Sequence, residues 1–167
     1  ESSGQHVLDE EYYNRIEAIQ YTMNHDDGNL LIDIEKSDII LLGVSRTSKT
    51  PTSIYLANRG YKTLNIPLVL DQKIPELLKK NENKFCVIGL TADPERLSEI
   101  RKTRANTNSN IDLKLYTNVE KIREEVENSK LMFKKFRWPI IDVTRRSVEE
   151  TAASIIKIYE IQKSKWE

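Results

Sequence analysis

Short apolar segments alternate along this chain with amphipathic segments, and this alternation limits the fold more than any other feature. Strands are predicted at residues 39–42, 62–66 and 85–90, and helices at 50–58, 74–80 and 93–104. Buried strands connected by helices predict an α/β domain, with a mostly parallel sheet flanked by helices on both faces. Ligands of such folds bind at the carboxyl ends of the strands.

Further elements are predicted on either side of this alternation. A helix over residues 9–24, with Asp9 as its N-cap, precedes it, and the stretch "WPIIDV" is predicted as the last strand after it. Two sequence patterns are typical of capping boxes at helix N-termini: Thr117 with Glu120, and Ser147 with Glu150. The second predicts a C-terminal helix.

The stretch "GVSRTSKT" lies between a predicted strand and a predicted helix and resembles a Walker phosphate-binding loop. In that loop, backbone amides and a helix N-terminus hold an anion, a lysine reaches the outer phosphates and a hydroxyl binds Mg²⁺. Lys49 and Thr50 stand in register for the last two roles. The predicted nucleotide-binding residues are Gly43, Val44, Ser45, Arg46, Thr47, Ser48, Lys49 and Thr50.

Ser48 stands where the Walker pattern has its second glycine. Serine reaches a positive φ only at some strain, so Ser48 argues against a simple Walker loop. Arg46 argues for an anion site, since it adds a second cation to the loop. The alternative is an N-capping turn rich in serine and threonine, whose lysine is merely solvated.

The charge balance limits the classes of partner. The chain has 26 basic and 26 acidic residues, so bulk charge favours neither nucleic acid nor an anionic membrane. Its apolar runs are too short to cross a bilayer, and we expect a cytoplasmic protein. The single cysteine, Cys86, lies in an apolar run and is interpreted as a buried structural thiol.

Four stretches resemble the pyruvate, phosphate dikinase regulatory protein family. They are "RIEAIQYTMNHDDG", "GVSRTSKTPTSIYLANRGYKTLNIPLV", "GLTADPERLSEIRKTR" and "WPIIDVTRRSVEETAA", in family order. A sister branch that regulates phosphoenolpyruvate synthase usually has Cys-Gly before the loop lysine. Thr47 and Ser48 stand there instead, which favours the dikinase branch.

The resemblance implies a bifunctional enzyme. Family members phosphorylate a threonine of the dikinase with ADP as donor, which inactivates it, and remove that phosphate by attack of inorganic phosphate, releasing pyrophosphate. Residues 36–167 would then be a P-loop-kinase-like ADP-binding domain, and Lys49 a catalytic residue. Residues 1–35, a helix and an acidic turn, would end an upstream domain or linker. A homodimer is kept open.

Carboxylates at two places are candidates for the chemistry. Asp26 or Asp27 would be a general base or Mg²⁺ ligand, because their turn falls in a family stretch; the alternative is an ordinary helix-ending turn. Asp142 is predicted at the carboxyl end of the last strand, where a metal ligand is expected. It would bind Mg²⁺ with Thr50, unless it only shapes the turn with Thr144.

Three arginines are candidates for holding phosphate: Arg101, Arg104 and Arg145. By helical spacing Arg104 shares an apolar face with Leu97, and Arg101 lies beside it. An arginine on such a face needs an anionic partner, which would be either phosphate or a glutamate of the core.

The sequence also allows three other functions. The same chemistry could act on phosphoenolpyruvate synthase, or the domain could be an ATP-dependent small-molecule kinase. A third alternative is a module that senses ADP without turnover.

Overall fold

The computed structural model describes residues 2–25, 34–68, 78, 85–105 and 116–166, with side chains from residue 10 onward except those of residues 104 and 105. Its elements, in chain order, are α1 (Ser2–Asn24), a 3₁₀ turn (Ile34–Lys36), β1 (Ile39–Gly43), α2 (Lys49–Ala57), β2 (Thr63–Pro67), β3 (Cys86–Thr91), α3 (Pro94–Ala105), α4 (Val119–Lys135), β4 (Ile140–Asp142) and α5 (Val148–Trp166).

The four strands form one parallel sheet in the order β2-β1-β3-β4. In the centre of the sheet, Leu41 of β1 lies opposite Asn65 of β2 and Ile88 of β3. At the edge formed by β4, Ile140 of β4 pairs with Gly89 of β3. The predicted α/β class, with a parallel sheet flanked by helices and preceded by an N-terminal helix, is confirmed.

Both faces of the sheet are covered. Ile39 and Leu41 of β1 pack on the face that α2 and α5 cover. Ile40 and Leu42 point to the opposite face, where they pack in one cluster with Phe133 of α4. These four residues of β1 have no exposed surface. Such burial from both sides explains why the strand sequence is continuously apolar rather than alternating.

Two predicted helix starts are wrong. Helix α1 already begins at Ser2, so Asp9 is not its N-cap. The N-cap of α4 is Asn118 rather than Thr117, because the Asn118 side-chain oxygen accepts hydrogen bonds from the amides of Glu120 (2.9 Å) and Lys121 (3.2 Å). An asparagine one residue closer to the helix thus replaces the predicted box.

The second predicted capping box is confirmed. The amide of Glu150 donates to Ser147 Oγ at 3.1 Å, and the amide of Ser147 donates back to Glu150 Oε1 at 3.3 Å. The strand before it, β4, is shorter than "WPIIDV". The predicted helix at 74–80 lies outside the described residues apart from Leu78, which is buried.

Helix α1 packs against α2 and β2. Lys62 forms an ion pair with Glu17 at 2.9 Å, and the amide of Thr63 donates to Thr22 Oγ1 at 3.1 Å. The predicted division of the chain at residue 35 stays a prediction. In the part of the chain that the structure describes, no helix is long and apolar enough to span a membrane.

Cys86 is fully buried at the start of β3. Burial raises the pKa of its thiol to about 12, because the thiolate would have to form without water. The interpretation of Cys86 as a structural thiol agrees with this environment.

Replacing Asn118 with alanine tests the corrected cap. We expect Asn118→Ala to lower the free energy of unfolding by about 1 kcal/mol, since two α4 amides lose their acceptor. Asn128→Ala, in the exposed middle of the same helix, is the control and should stabilise by a few tenths of a kcal/mol through helix propensity. Urea unfolding measures both; equal effects would contradict the assignment.

Candidate functional site

The loop of residues 43–50 lies where the sheet changes direction. From β1 the chain crosses to β2 on one side and then to β3 on the other, so β1 ends between two neighbouring parallel strands. In open α/β sheets the crevice at such a point is the usual ligand site. The fold thus puts the predicted nucleotide loop at that crevice.

The loop folds back closely on its own first residue. A Cβ atom on Gly43 would lie 2.6 Å from Thr47 Oγ1 and 3.0 Å from the carbonyl oxygen of Leu90. Thr47 Oγ1 in turn donates a hydrogen bond to the carbonyl of Val44 at 2.8 Å. Gly43 is therefore needed for close approach rather than for an unusual φ.

Two loop residues other than glycine have left-handed backbone conformations. The φ angle is 71° at Arg46 and 63° at Ser48. Each costs on the order of 1–2 kcal/mol relative to a right-handed conformation, so the strain predicted for Ser48 is present. Ser48 immediately precedes α2, but its side chain makes no capping hydrogen bond. The N-capping alternative therefore has no support at Ser48.

Lys49 is directed into the loop rather than into solvent. Its side chain is buried, and Nζ donates to the carbonyl of Val44 at 2.9 Å and to Thr47 Oγ1 at 3.5 Å. The alternative of a merely solvated lysine is wrong. A buried ammonium at the mouth of a loop concentrates positive charge where an anion would bind.

A cleft of about 340 Å³ opens beside the loop. The N-terminus of α2 adds the positive end of a helix dipole to the charges of Arg46 and Lys49. The arrangement favours an anionic ligand over a neutral one. The residues that line the cleft are Ser45, Arg46, Ser48, Lys49, Thr50, Pro51, Pro67 and Ile100.

Asp142 and Arg145 line a different cleft, of about 720 Å³, at the carboxyl ends of β3 and β4. Because β3 separates β4 from β1, the end of β4 is two strand spacings, about 10 Å, from that of β1. The structure thus does not bring Asp142 to the cleft of Thr50, its predicted partner in binding metal. It also separates Arg145 from the loop.

Asp142 is engaged in the turn that follows β4. Its Oδ1 accepts hydrogen bonds from the Thr144 amide at 2.9 Å and the Thr144 hydroxyl at 2.5 Å. Partial burial raises the pKa of Asp142, but these bonds and the charges of Lys130 and Arg146 outweigh it, so the pKa is lowered. These contacts match the turn-shaping alternative.

Arg101 is buried behind the loop instead of lining the cleft. Its guanidinium forms an ion pair with Glu125 at 2.8 Å and donates to the carbonyls of Tyr116 and Ser45, both at 3.2 Å. Its anionic partner is thus a glutamate, as the alternative stated, although Glu125 is partly exposed rather than part of the core. Arg104 lies in α3, and its side chain is outside the described residues.

The predicted catalytic carboxylates, Asp26 and Asp27, lie outside the described residues. Their role stays a prediction. Among the described residues that line the loop cleft there is no carboxylate. A general base for this cleft would therefore have to come from another part of the chain or from a partner.

Sequence reasoning missed four residues of this region, of which Pro51 lines the cleft directly after the predicted loop. Pro67, at the end of β2, and Ile100, on α3, line the cleft, and Tyr116 contacts Ser45. Pro67 could have been predicted from the sequence, because it ends the strand next to β1 and the carboxyl ends of neighbouring parallel strands lie at the same edge of the sheet. Tyr116 carried none, since its contact joins residues 71 positions apart.

Comparison with known proteins identifies the family. The family model described as "Kinase/pyrophosphorylase" matches residues 1–156. The chain belongs to the kinase/pyrophosphorylase family. This confirms the resemblance noted in the sequence, which covers the loop, the α3 region and the β4–α5 turn.

Curated relatives in this family match nearly the whole chain. A protein of Pelagibacter ubique (strain HTCC1062) is 67% identical over 162 residues, which are 97% of this chain and 59% of that protein. Proteins of Chelativorans sp. (strain BNC1) and Brucella ovis are 51% and 49% identical over 92% and 94% of this chain, and 56% of each. All three carry the provisional name of pyruvate, phosphate dikinase regulatory protein. The chain thus spans somewhat over half of their length.

Replacing Ser48 with glycine tests the strain in the loop. We expect Ser48→Gly to raise the free energy of unfolding by about 0.5–1 kcal/mol, because glycine adopts a positive φ without steric cost. Ser164→Gly, at an exposed helical position of α5, is the matched control and should destabilise by about 0.5 kcal/mol. Thermal or urea unfolding measures both, and destabilisation of similar size at both positions would contradict the left-handed conformation of Ser48.

Proposed function

We propose that this chain is the nucleotide-binding part of a regulator of pyruvate, phosphate dikinase. In one direction, the hydroxyl of a dikinase threonine would attack the β-phosphorus of ADP, giving phosphothreonine and AMP. In the other, inorganic phosphate would attack the phosphothreonine, giving pyrophosphate and the free hydroxyl. The names of the curated relatives support the choice of target.

One observation carries this proposal: a loop with two cations and a helix N-terminus folds around a cleft at the carboxyl end of β1. Phosphoryl transfer depends mostly on positioning and on neutralising charge, which such a loop supplies. Lys49 would move from the Val44 carbonyl to the outer phosphate of ADP. Free phosphate would occupy the same position in the reverse reaction.

Magnesium would accompany the diphosphate. Thr50 lines the cleft and would be this chain's ligand, alongside phosphate oxygens and water, which Mg²⁺ commonly retains. No cluster of three acidic, histidine or cysteine side chains suited to a metal occurs in the described ranges. The ion would supply charge neutralisation between the phosphates. We keep Asp26 or Asp27 as the proposed base, and a cytoplasmic location.

A second candidate function is ADP binding without turnover. The observation that favours it is that none of the described residues lining the loop cleft carries a carboxylate. Phosphoenolpyruvate synthase as target and a small-molecule kinase remain alternatives. A small-molecule kinase would prefer ATP and need no protein acceptor.

The decisive variant is Lys49→Ala, with Lys157→Ala, an exposed lysine of α5, as control. ADP labelled in its β-phosphate is supplied to the chain with purified dikinase or phosphoenolpyruvate synthase, and binding is measured in parallel by calorimetry. We expect Lys49→Ala to weaken ADP binding and slow labelling of the dikinase at least tenfold, since it removes the buried cation. Lys157→Ala should change neither.

The outcomes separate the candidates. Undiminished labelling with Lys49→Ala would remove this lysine from the mechanism. Binding of ADP by the wild-type chain without labelling of either acceptor would select the second candidate. Inorganic phosphate should compete with ADP for binding; simultaneous binding of both ligands would contradict a shared anion position.

A further inference from the structure

Arg101 is the most deeply buried charged side chain among the described residues, with only 1% of its surface exposed. Burying a guanidinium is costly unless its donors are used. Nη1 and Nη2 of Arg101 together reach three different acceptors, whereas the buried Nε has no hydrogen-bond partner among the described residues. Glu125 of α4 balances the charge, while the carbonyls of Tyr116 and Ser45 each accept one hydrogen bond. One arginine therefore connects α3, α4 and the loop.

Tyr116 meets the same loop residue from another direction. Its hydroxyl shares a hydrogen bond with Ser45 Oγ at 2.9 Å, and its ring lies 4.8 Å from the guanidinium carbon of Arg101. The backbone and the side chain of Ser45 are thus held separately. Because the cation also stacks on the ring, Arg101 and Tyr116 hold each other in place.

This contact fixes the direction of a loop amide. In a trans peptide the carbonyl of one residue and the N–H of the next point in opposite directions, and no peptide bond in the described chain is cis. Since the Ser45 carbonyl faces Arg101, the N–H of Arg46 points away from it. Arg46 lines the cleft, whereas Arg101 does not.

The same contact holds a strained conformation. Arg46 has a φ of 71°, which a non-glycine residue keeps only where its surroundings determine it. Arg101 and Tyr116 each form a hydrogen bond with Ser45, the residue immediately before Arg46. The next residue of α3 towards its N-terminus, Ile100, lines the cleft itself. Helix α3 therefore contributes one residue, Ile100, to the lining of the cleft and the next, Arg101, to the contacts behind the loop.

We propose that Arg101 and Tyr116 form a clamp that positions the loop for anion binding without touching the anion. Arg101 is then a positioning residue rather than a phosphate ligand, which was one of the two roles that the sequence left open for it. The proposal rests on the proposed function, because it assumes that the loop binds ADP or phosphate. The clamp holds the loop in its binding conformation before the ligand arrives, which lowers the ordering cost of binding.

The first arm of the test uses no ligand. Amide hydrogen exchange at residues 44–48 is followed by NMR in the full chain, comparing Arg101→Lys with Arg96→Lys. Arg96 is an exposed arginine of the same helix whose ion-pair partner among the described residues is Glu99, so it matches the chemical change without the clamp. We expect exchange to quicken about tenfold in Arg101→Lys and about threefold in Tyr116→Phe, and to stay within twofold in Arg96→Lys.

The second arm measures the affinities for Mg·ADP and for inorganic phosphate. The clamp predicts a loss of about tenfold for Arg101→Lys and about threefold for Tyr116→Phe, for both ligands. Ser45→Ala and Tyr116→Phe should each weaken binding. The double variant should lose no more affinity than either single variant, because both substitutions remove the same hydrogen bond. Tyr116→Phe also keeps the test valid if Arg101→Lys does not fold.

A direct phosphate ligand would give a different pattern. Arg101→Lys would still weaken phosphate binding, because lysine lacks the planar fork of the guanidinium, but Tyr116→Phe would bind as wild type and exchange without ligand would not change. That pattern would overturn the clamp, as would faster exchange with unchanged affinities. If the wild-type chain binds neither ligand, the proposed function fails, and the exchange arm still decides whether the clamp holds the loop.

Discussion

The carbonyl of Val44 is the point around which the loop after β1 is folded. It accepts hydrogen bonds from the hydroxyl of Thr47 and the ammonium of Lys49, so the chain reverses within a few residues of a buried strand. This reversal requires the bare backbone of Gly43 and the left-handed conformation of Ser48. The cleft, the position of its cations and the direction of α2 all follow from it.

The residues around the loop stabilise its strained conformation. On one side β1 is buried from both faces, and on the other the guanidinium of Arg101 and the ring of Tyr116 hold Ser45. A site whose geometry is fixed by packed elements binds more tightly than one that must order on binding, because less entropy is lost with the ligand. Ser48 is then a strained residue whose conformation the surrounding contacts support.

The sequence predicted the parts of the site that depend on local pattern. Strand, glycine, loop and helix follow one another within residues 39–57, and the strain at Ser48 could be foreseen from its place in the Walker pattern. Long-range contacts could not be foreseen. Helical spacing indicated that an arginine of α3 needs an anion, but the contact of Arg101 with Ser45 spans 56 residues, and no periodicity identifies such a partner. Asp142 was placed correctly at a strand end, yet the strand order, which local sequence does not encode, puts that end beside a different cleft.

We propose that the loop of residues 43–50 binds a diphosphate. Titration of the ¹⁵N-labelled chain with Mg·ADP tests it directly, because amide chemical shifts report where the ligand binds. We expect saturable shifts that are largest at loop amides 44–50, and we expect inorganic phosphate to move a subset of the same signals. Shifts concentrated around Asp93, Asp142 and Thr144, or no saturable shifts at all, would contradict it.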